Sequence, residues 1–226
     1  MKTPVPWSLT DVILALATPF IGFGLTQGIG SALAASALEM LILLALVSSG
    51  VTIGLLYGLA QARGVGWAQL GCRRVPKQVL LRALFTTPLV MVAMGVAGAT
   101  VAYLVQGELN NHQLDLFSSA ASAPTTAVLA VIALATLVPL AEELLFRGFL
   151  FDTLLARVSP PITIAVTAGV FGIYHGEPGP IAACTVLGLY LGYLRLQSDS
   201  IWPTVVIHAG NNLVVGIGML WYWWSQ

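Results

Sequence analysis

Seven runs of mainly apolar residues leave this chain few ways to fold. They lie at roughly 10–35, 38–61, 82–106, 125–147, 160–176, 180–196 and 201–224. A helix needs about 20 apolar residues to cross the hydrocarbon of a bilayer, and a spanning helix satisfies its own backbone polar groups there. Only 8% of the residues are charged and 58% are hydrophobic, against about 25% charged in a soluble domain. Mean hydropathy is +0.90. These values predict an all-α, polytopic transmembrane bundle of about seven spanning helices. Residues 1–226 read as a single integral membrane domain, since no stretch outside the runs is long enough to bury a core of its own. Net charge is zero, so no basic face points to nucleic acid. The first run, from about Val12 to Ala35, is long for a signal-peptide core and is expected to be retained.

The loops predict an orientation. Arg63, Arg73, Arg74, Lys77 and Arg82 cluster after the second run, whereas Gly107 to Pro124 carries Glu108 and Asp115 and no Lys or Arg. By the excess of positive charge on the cytoplasmic side, the N-terminus is expected inside and the C-terminus outside. Arg157 after the fourth run and Arg195 before the seventh agree. Gly64 to Lys77 reads as an interfacial segment, with Trp67 and Leu70 towards lipid and its arginines towards headgroups. Trp221, Tyr222, Trp223 and Trp224 form an aromatic belt. Asp11 and Glu39 fall at span ends and His112 in the polar loop, where each is expected to be solvated or interfacial. Cys72 and Cys184 have neither disulfide nor metal spacing and read as free thiols.

One stretch breaks the apolar pattern, Val138-Pro139-Leu140-Ala141-Glu142-Glu143-Leu144-Leu145-Phe146-Arg147. Ionisable groups at membrane depth are costly and mark functional sites. On a helix, Glu143 and Arg147 share a face and can pair, while Glu142 is rotated away by roughly 100°. One carboxylate is then neutralised by structure and one is left for chemistry. His175 ends the fifth run. His208 lies in the seventh with Asn212 one turn on, on the same side of the helix. Together these residues describe a buried catalytic or ion-coupled site. A buried carboxylate can act as general base towards water, and a His/Asn pair can offer donors to a developing oxyanion. No Gly-x-Ser-x-Gly elbow or His-Glu-x-x-His helix is present, which disfavours seryl and zincin mechanisms.

The order Glu-Glu-x-x-x-Arg (142–147), Phe-x-x-x-His (171–175) and His-x-x-x-Asn (208–212) resembles the three motifs of the CPBP family, the CAAX proteases and bacteriocin-processing (Abi) intramembrane endopeptidases. The match covers roughly Ala127 to Leu220, within a motif-bearing core of about 125–224, and Gly148 also fits. The resemblance implies that Glu142 activates the hydrolytic water with His175 alongside. It implies that Glu143 pairs with Arg147, that His208 and Asn212 form the oxyanion hole, and that Phe171 packs one turn before the histidine. It also implies an intramembrane endopeptidase acting on a membrane-associated protein or peptide: a CAAX tail, a bacteriocin leader or a protein being sorted. The family has been described both as metal-free and as zinc-dependent. No cofactor is expected here; the alternative is zinc on Glu142, His175 and His208. The expected location is a bacterial inner membrane, with lipid and a second copy of the chain as further partners. The rival functions are a non-catalytic immunity or scaffold protein and a proton-coupled transporter.

Overall fold

The computed structural model describes residues 7–107, 116–120 and 122–225. His112, Glu108, Asp115 and Lys2 lie outside them. The chain forms α1 (Leu9–Leu33), α2 (Ala37–Ala62), α3 (Lys77–Gln106), α4 (Pro124–Glu143), a π-helix π1 (Leu144–Leu150), α5 (Phe151–Leu155), α6 (Pro160–Ile173), α7 (Pro178–Ser198) and α8 (Trp202–Trp224). There is no strand among the described residues. The all-helical membrane architecture is therefore as expected. Six helical stretches are long and apolar enough to cross a membrane, one of them running without a break from Pro124 to Leu155. The fifth expected span is corrected. At 14 residues, α6 is only about 21 Å long, short of the ~30 Å of hydrocarbon. It stops because Gly176 adopts the left-handed φ of 74° and Pro178 follows, the usual punctuation of a helix C-terminus.

One membrane domain is expected from the sequence; the contacts gather the chain into two compact units. The first comprises Met1–Trp7, Val65–Asn110 and Phe146–Ile207. In it α7 packs on both α3 and α6. Small residues allow the close approach, as is usual where helices meet in lipid: a Cβ added to Gly188 would lie 2.8 Å from Ala168 Cα. The segment before α3 is folded onto this unit rather than lying flat in the interface. Leu70, expected to face lipid, is buried, while Trp67 is exposed. Ile201 N–H donates to the Gly71 carbonyl at 2.9 Å, and the Ser200 hydroxyl donates to the Arg73 carbonyl at 2.6 Å. Burial pushes the Cys72 thiol up from its ordinary range, the nearby Arg195 charge acting the other way, which leaves little reactive thiolate.

Gly148 is where this segment touches π1. A Cβ there would stand 2.7 Å from the Leu70 carbonyl oxygen. Backbone cannot step aside as a side chain can. Gly148→Ala is expected to lower stability by about 1–3 kcal/mol, read as a lower unfolding midpoint of the detergent-solubilised protein.

The second unit comprises Ser8–Gly64, Asn111–Leu145 and His208–Gln226. Here α2 packs on α1 and α4. Both N-termini are closed by reciprocal capping boxes, Ser8 with Asp11 and Ser36 with Glu39. Asp11 is thus more than interfacial: it is buried and also takes a 2.8 Å ion pair from Arg63 at the far end of α2. The core is built on Leu38, Leu41, Phe117, Ala127, Val131 and Leu220. Of the C-terminal aromatics, Trp221, Tyr222 and Trp224 are exposed and Trp223 packs against this core, with Trp224 Nε1–H bonded to the Ala120 carbonyl at 3.2 Å.

Candidate active site

The second unit brings three of the predicted residues together on two helices. Pro139 sits inside α4 and removes one N–H from its ladder. Glu142 and Glu143 then form the last residues of the α-helical part, before the wider i→i+5 turns of π1. π segments recur at functional sites. Glu143 is fully buried, whereas the Glu142 side chain keeps 27% exposure. From α8, buried His208 enters between them. Its Nδ1 lies 2.9 Å from Glu143 Oε1, and its Nε2 lies 3.6 Å from Glu142 Oε2.

This geometry divides the two carboxylates. An ionised carboxylate only accepts, so Nδ1 carries the proton shared with Glu143. That bond fixes the imidazole and aims Nε2 at Glu142. At 3.6 Å the pair is beyond a direct hydrogen bond but within reach of a single bridging water. Asn212, one turn on, donates through Nδ2 to the Leu134 carbonyl at 3.1 Å and accepts from Asn211 Nδ2 at 3.3 Å. One of its two amide protons is thereby occupied and the other is left over. Asn211 was given no role by sequence reasoning, although it is the more buried of the pair; two adjacent asparagines in an apolar run were the available signal.

Glu143→Ala is expected to strip the carboxylate bonded to His208 Nδ1. Leaving that buried donor unsatisfied costs about 1–3 kcal/mol. Glu143→Gln retains an acceptor oxygen and is expected to recover part of the loss in a melting experiment.

Arg147 and His175 belong to the first unit, where they meet at Phe171. Arg147 is fully buried. Its Nη2 donates to the Gly188 carbonyl at 3.3 Å, and its guanidinium stands 4.5 Å from the Phe171 ring centre, a cation–π distance. Glu143, its expected partner, is bonded to His208 in the other unit. His175 lies in the turn after α6. Its Nδ1 is 3.0 Å from the Phe171 carbonyl, which can only accept, so Nδ1 carries the proton and Nε2 of the neutral ring is the acceptor. Phe171 is buried beneath both, in agreement with a packing role.

The first unit also holds a charged node that sequence reasoning missed. Arg195 is 1% exposed. Its Nε donates to the Arg147 carbonyl at 2.9 Å, one Nη reaches Asp152 at 2.7 Å and the other reaches Asp199 at 3.0 Å. Arg73 also pairs with Asp199. The sequence placed Arg195 among the loop cations; its position inside an apolar run was the signal that it is buried.

Among the described residues no group of three His, Cys, Asp or Glu stands close enough together to hold a metal ion. Of the alternative zinc set, Glu142 and His208 belong to the second unit and His175 to the first.

Comparison with known proteins agrees with the resemblance read from the motifs. Residues 124–214 match the family model described as type II CAAX prenyl endopeptidase Rce1-like, a span that contains all six candidate residues. A Bacillus subtilis protein described as "Putative membrane peptidase YdiL" is 25% identical over 157 residues, which is 66% of this chain and 64% of that relative. The chain therefore spans less than two thirds of the length of that relative. No solved structure matches the chain.

Proposed function

We propose that this chain, similar to the Rce1-like type II CAAX prenyl endopeptidases over residues 124–214, is an intramembrane endopeptidase. Its substrate is a membrane-associated protein or peptide of the CAAX, bacteriocin-leader or protein-sorting kind. The observation that carries the reading is His208 fixed by Glu143 and aimed at the more accessible Glu142. A purely structural ion pair has no use for a second, part-exposed carboxylate facing the other ring nitrogen.

In the proposed reaction Glu142 takes a proton from water, and the resulting hydroxide adds to the scissile carbonyl carbon. His208 Nε2 faces the same carboxylate, which supports a part in handling that proton besides the oxyanion role implied by the motifs. The uncommitted amide proton of Asn212 is the donor offered to the oxyanion. The proton held by Glu142 passes to the amide nitrogen as the C–N bond breaks, releasing a carboxylate and an amine. The resemblance adds His175, whose Nε2 is the nitrogen left to accept. Charge in the loops supports an N-terminus in the cytoplasm, and similarity to a Bacillus subtilis protein supports a bacterial inner (cytoplasmic) membrane as the location.

The test is a comparison of protein termini in membranes from cells carrying the wild-type chain or Glu142→Ala at equal abundance. Termini present only with the wild type are expected and would also identify the substrate. Identical termini together with a retained cellular phenotype would move the reading to a scaffold or immunity protein. Solute uptake by proteoliposomes driven by a pH gradient would move it to a transporter.

A further inference from the structure

The cations of this chain are not treated alike. Among the described residues Arg63 pairs with Asp11, Arg73 with Asp199, and Arg195 with Asp152 and Asp199. Arg147 bonds the Gly188 carbonyl, and Arg157 bonds the carbonyls of Thr153 and Trp7. Arg74, Lys77 and Arg82 are exposed and meet no such acceptor. These three fall within nine consecutive residues of one unit, at the head of α3.

The helix they head has a particular relation to lipid. It is 30 residues long, about 45 Å, against ~30 Å of hydrocarbon. It therefore has turns to spare, and the cations at its first turns favour the headgroup layer for that end. Leu81, Phe85, Leu89, Val92 and Val96 are all exposed, Phe85 by 85%, and their spacing puts them on one face. Lys77, four residues before Leu81, is the polar end of the same stripe. Arg82 flanks it, and Arg74 leads into it from the loop. Exposed Trp67 belongs to the same unit and is a residue type that prefers the headgroup level.

We propose that the head of α3 binds an acidic phospholipid. Its phosphate is met by Arg74, Lys77 and Arg82, and an acyl chain lies along Leu81, Phe85 and Leu89. Charge complementarity selects the occupant: the apolar stripe would accept any lipid, but three unneutralised cations at its end favour a headgroup with net negative charge. This inference is independent of the proposed chemistry.

The test uses the full chain in a neutral detergent, titrated with phosphatidylglycerol, phosphatidylcholine or inorganic phosphate. Unfolding midpoint and the number of lipid adducts seen by native mass spectrometry are the readouts. Phosphatidylglycerol is expected to stabilise the protein and to persist as an adduct, with an affinity falling about fivefold per cation removed. Arg74→Gln, Lys77→Gln and Arg82→Gln combined should lose the response while melting normally without lipid. The pair Arg74→Lys and Arg82→Lys should keep it. Three results would overturn the proposal: equal stabilisation by phosphatidylcholine, a triple variant that responds like the wild type, or full reproduction of the effect by inorganic phosphate.

Discussion

Glu142→Gln is expected to abolish peptide-bond cleavage while leaving the fold intact. The substitution keeps size and shape and removes only the ability to accept a proton. A positioned general base contributes about 10²–10⁴-fold to a rate, so cleavage of an identified substrate should fall by at least the lower figure. Stability should change by no more than about 0.5 kcal/mol, the usual range for a substitution outside a buried network. Glu142 keeps 27% exposure and stands 3.6 Å from His208, so no buried bond is lost. The contrast with Glu143 matters most. Glu143 is fully buried and holds His208 at 2.9 Å, so its variants should lose stability as well as rate. If Glu142→Gln is the more destabilised of the two, the roles of the glutamates are the reverse of those proposed.

Arg195→Met is expected to produce the largest loss of stability in the chain, about 3–5 kcal/mol. The guanidinium is buried and serves two carboxylates and a main-chain carbonyl. Removing it leaves Asp152 charged and buried without its 2.7 Å partner. It also frees the Arg147 carbonyl within π1. The double variant Arg195→Met with Asp152→Leu should recover much of the loss, because replacing both members of a buried pair by apolar groups is often neutral. Unfolding midpoints of the two variants in the same detergent decide the matter. A single variant as stable as wild type would mean that the node contributes nothing.

Much of this was legible in the sequence, and the misses have physical causes. Apolar run length located every long helix, because length and hydropathy are what a bilayer demands. The capping residues were also visible: Ser8 with Asp11 and Ser36 with Glu39 have the spacing of capping boxes. They were nevertheless read as interfacial charges, since a charge beside a span suits either role. The stop at Gly176 and Pro178 was readable in principle and was overridden by the apolar run reaching His175. π1 had no signature, because Leu-Leu-Phe-Arg-Gly-Phe-Leu is equally at home in an α-helix. At the site, residue identities and spacing pointed to Glu142, Glu143, His208 and Asn212, all of which belong to the second unit. The bond between Glu143 and His208 was beyond them, since it joins residues 65 positions apart, which only tertiary packing supplies.

The shortness of α6 carries a consequence for topology. Arg195 in the last turn of α7 bonds Asp152 in α5, and α6 begins only a few residues after α5 ends. The α6–α7 hairpin therefore leaves from and returns to the same end of its unit. Whether α6 is counted as a crossing or the hairpin as a re-entrant loop, the hairpin adds an even number of passages. If α1, α2, α3, the long α4 helix and α8, the other stretches long and apolar enough to cross, each pass once, the expected total among the described residues is odd. Reporters fused to the two ends are then expected to give opposite signals, and equal signals would exclude this count.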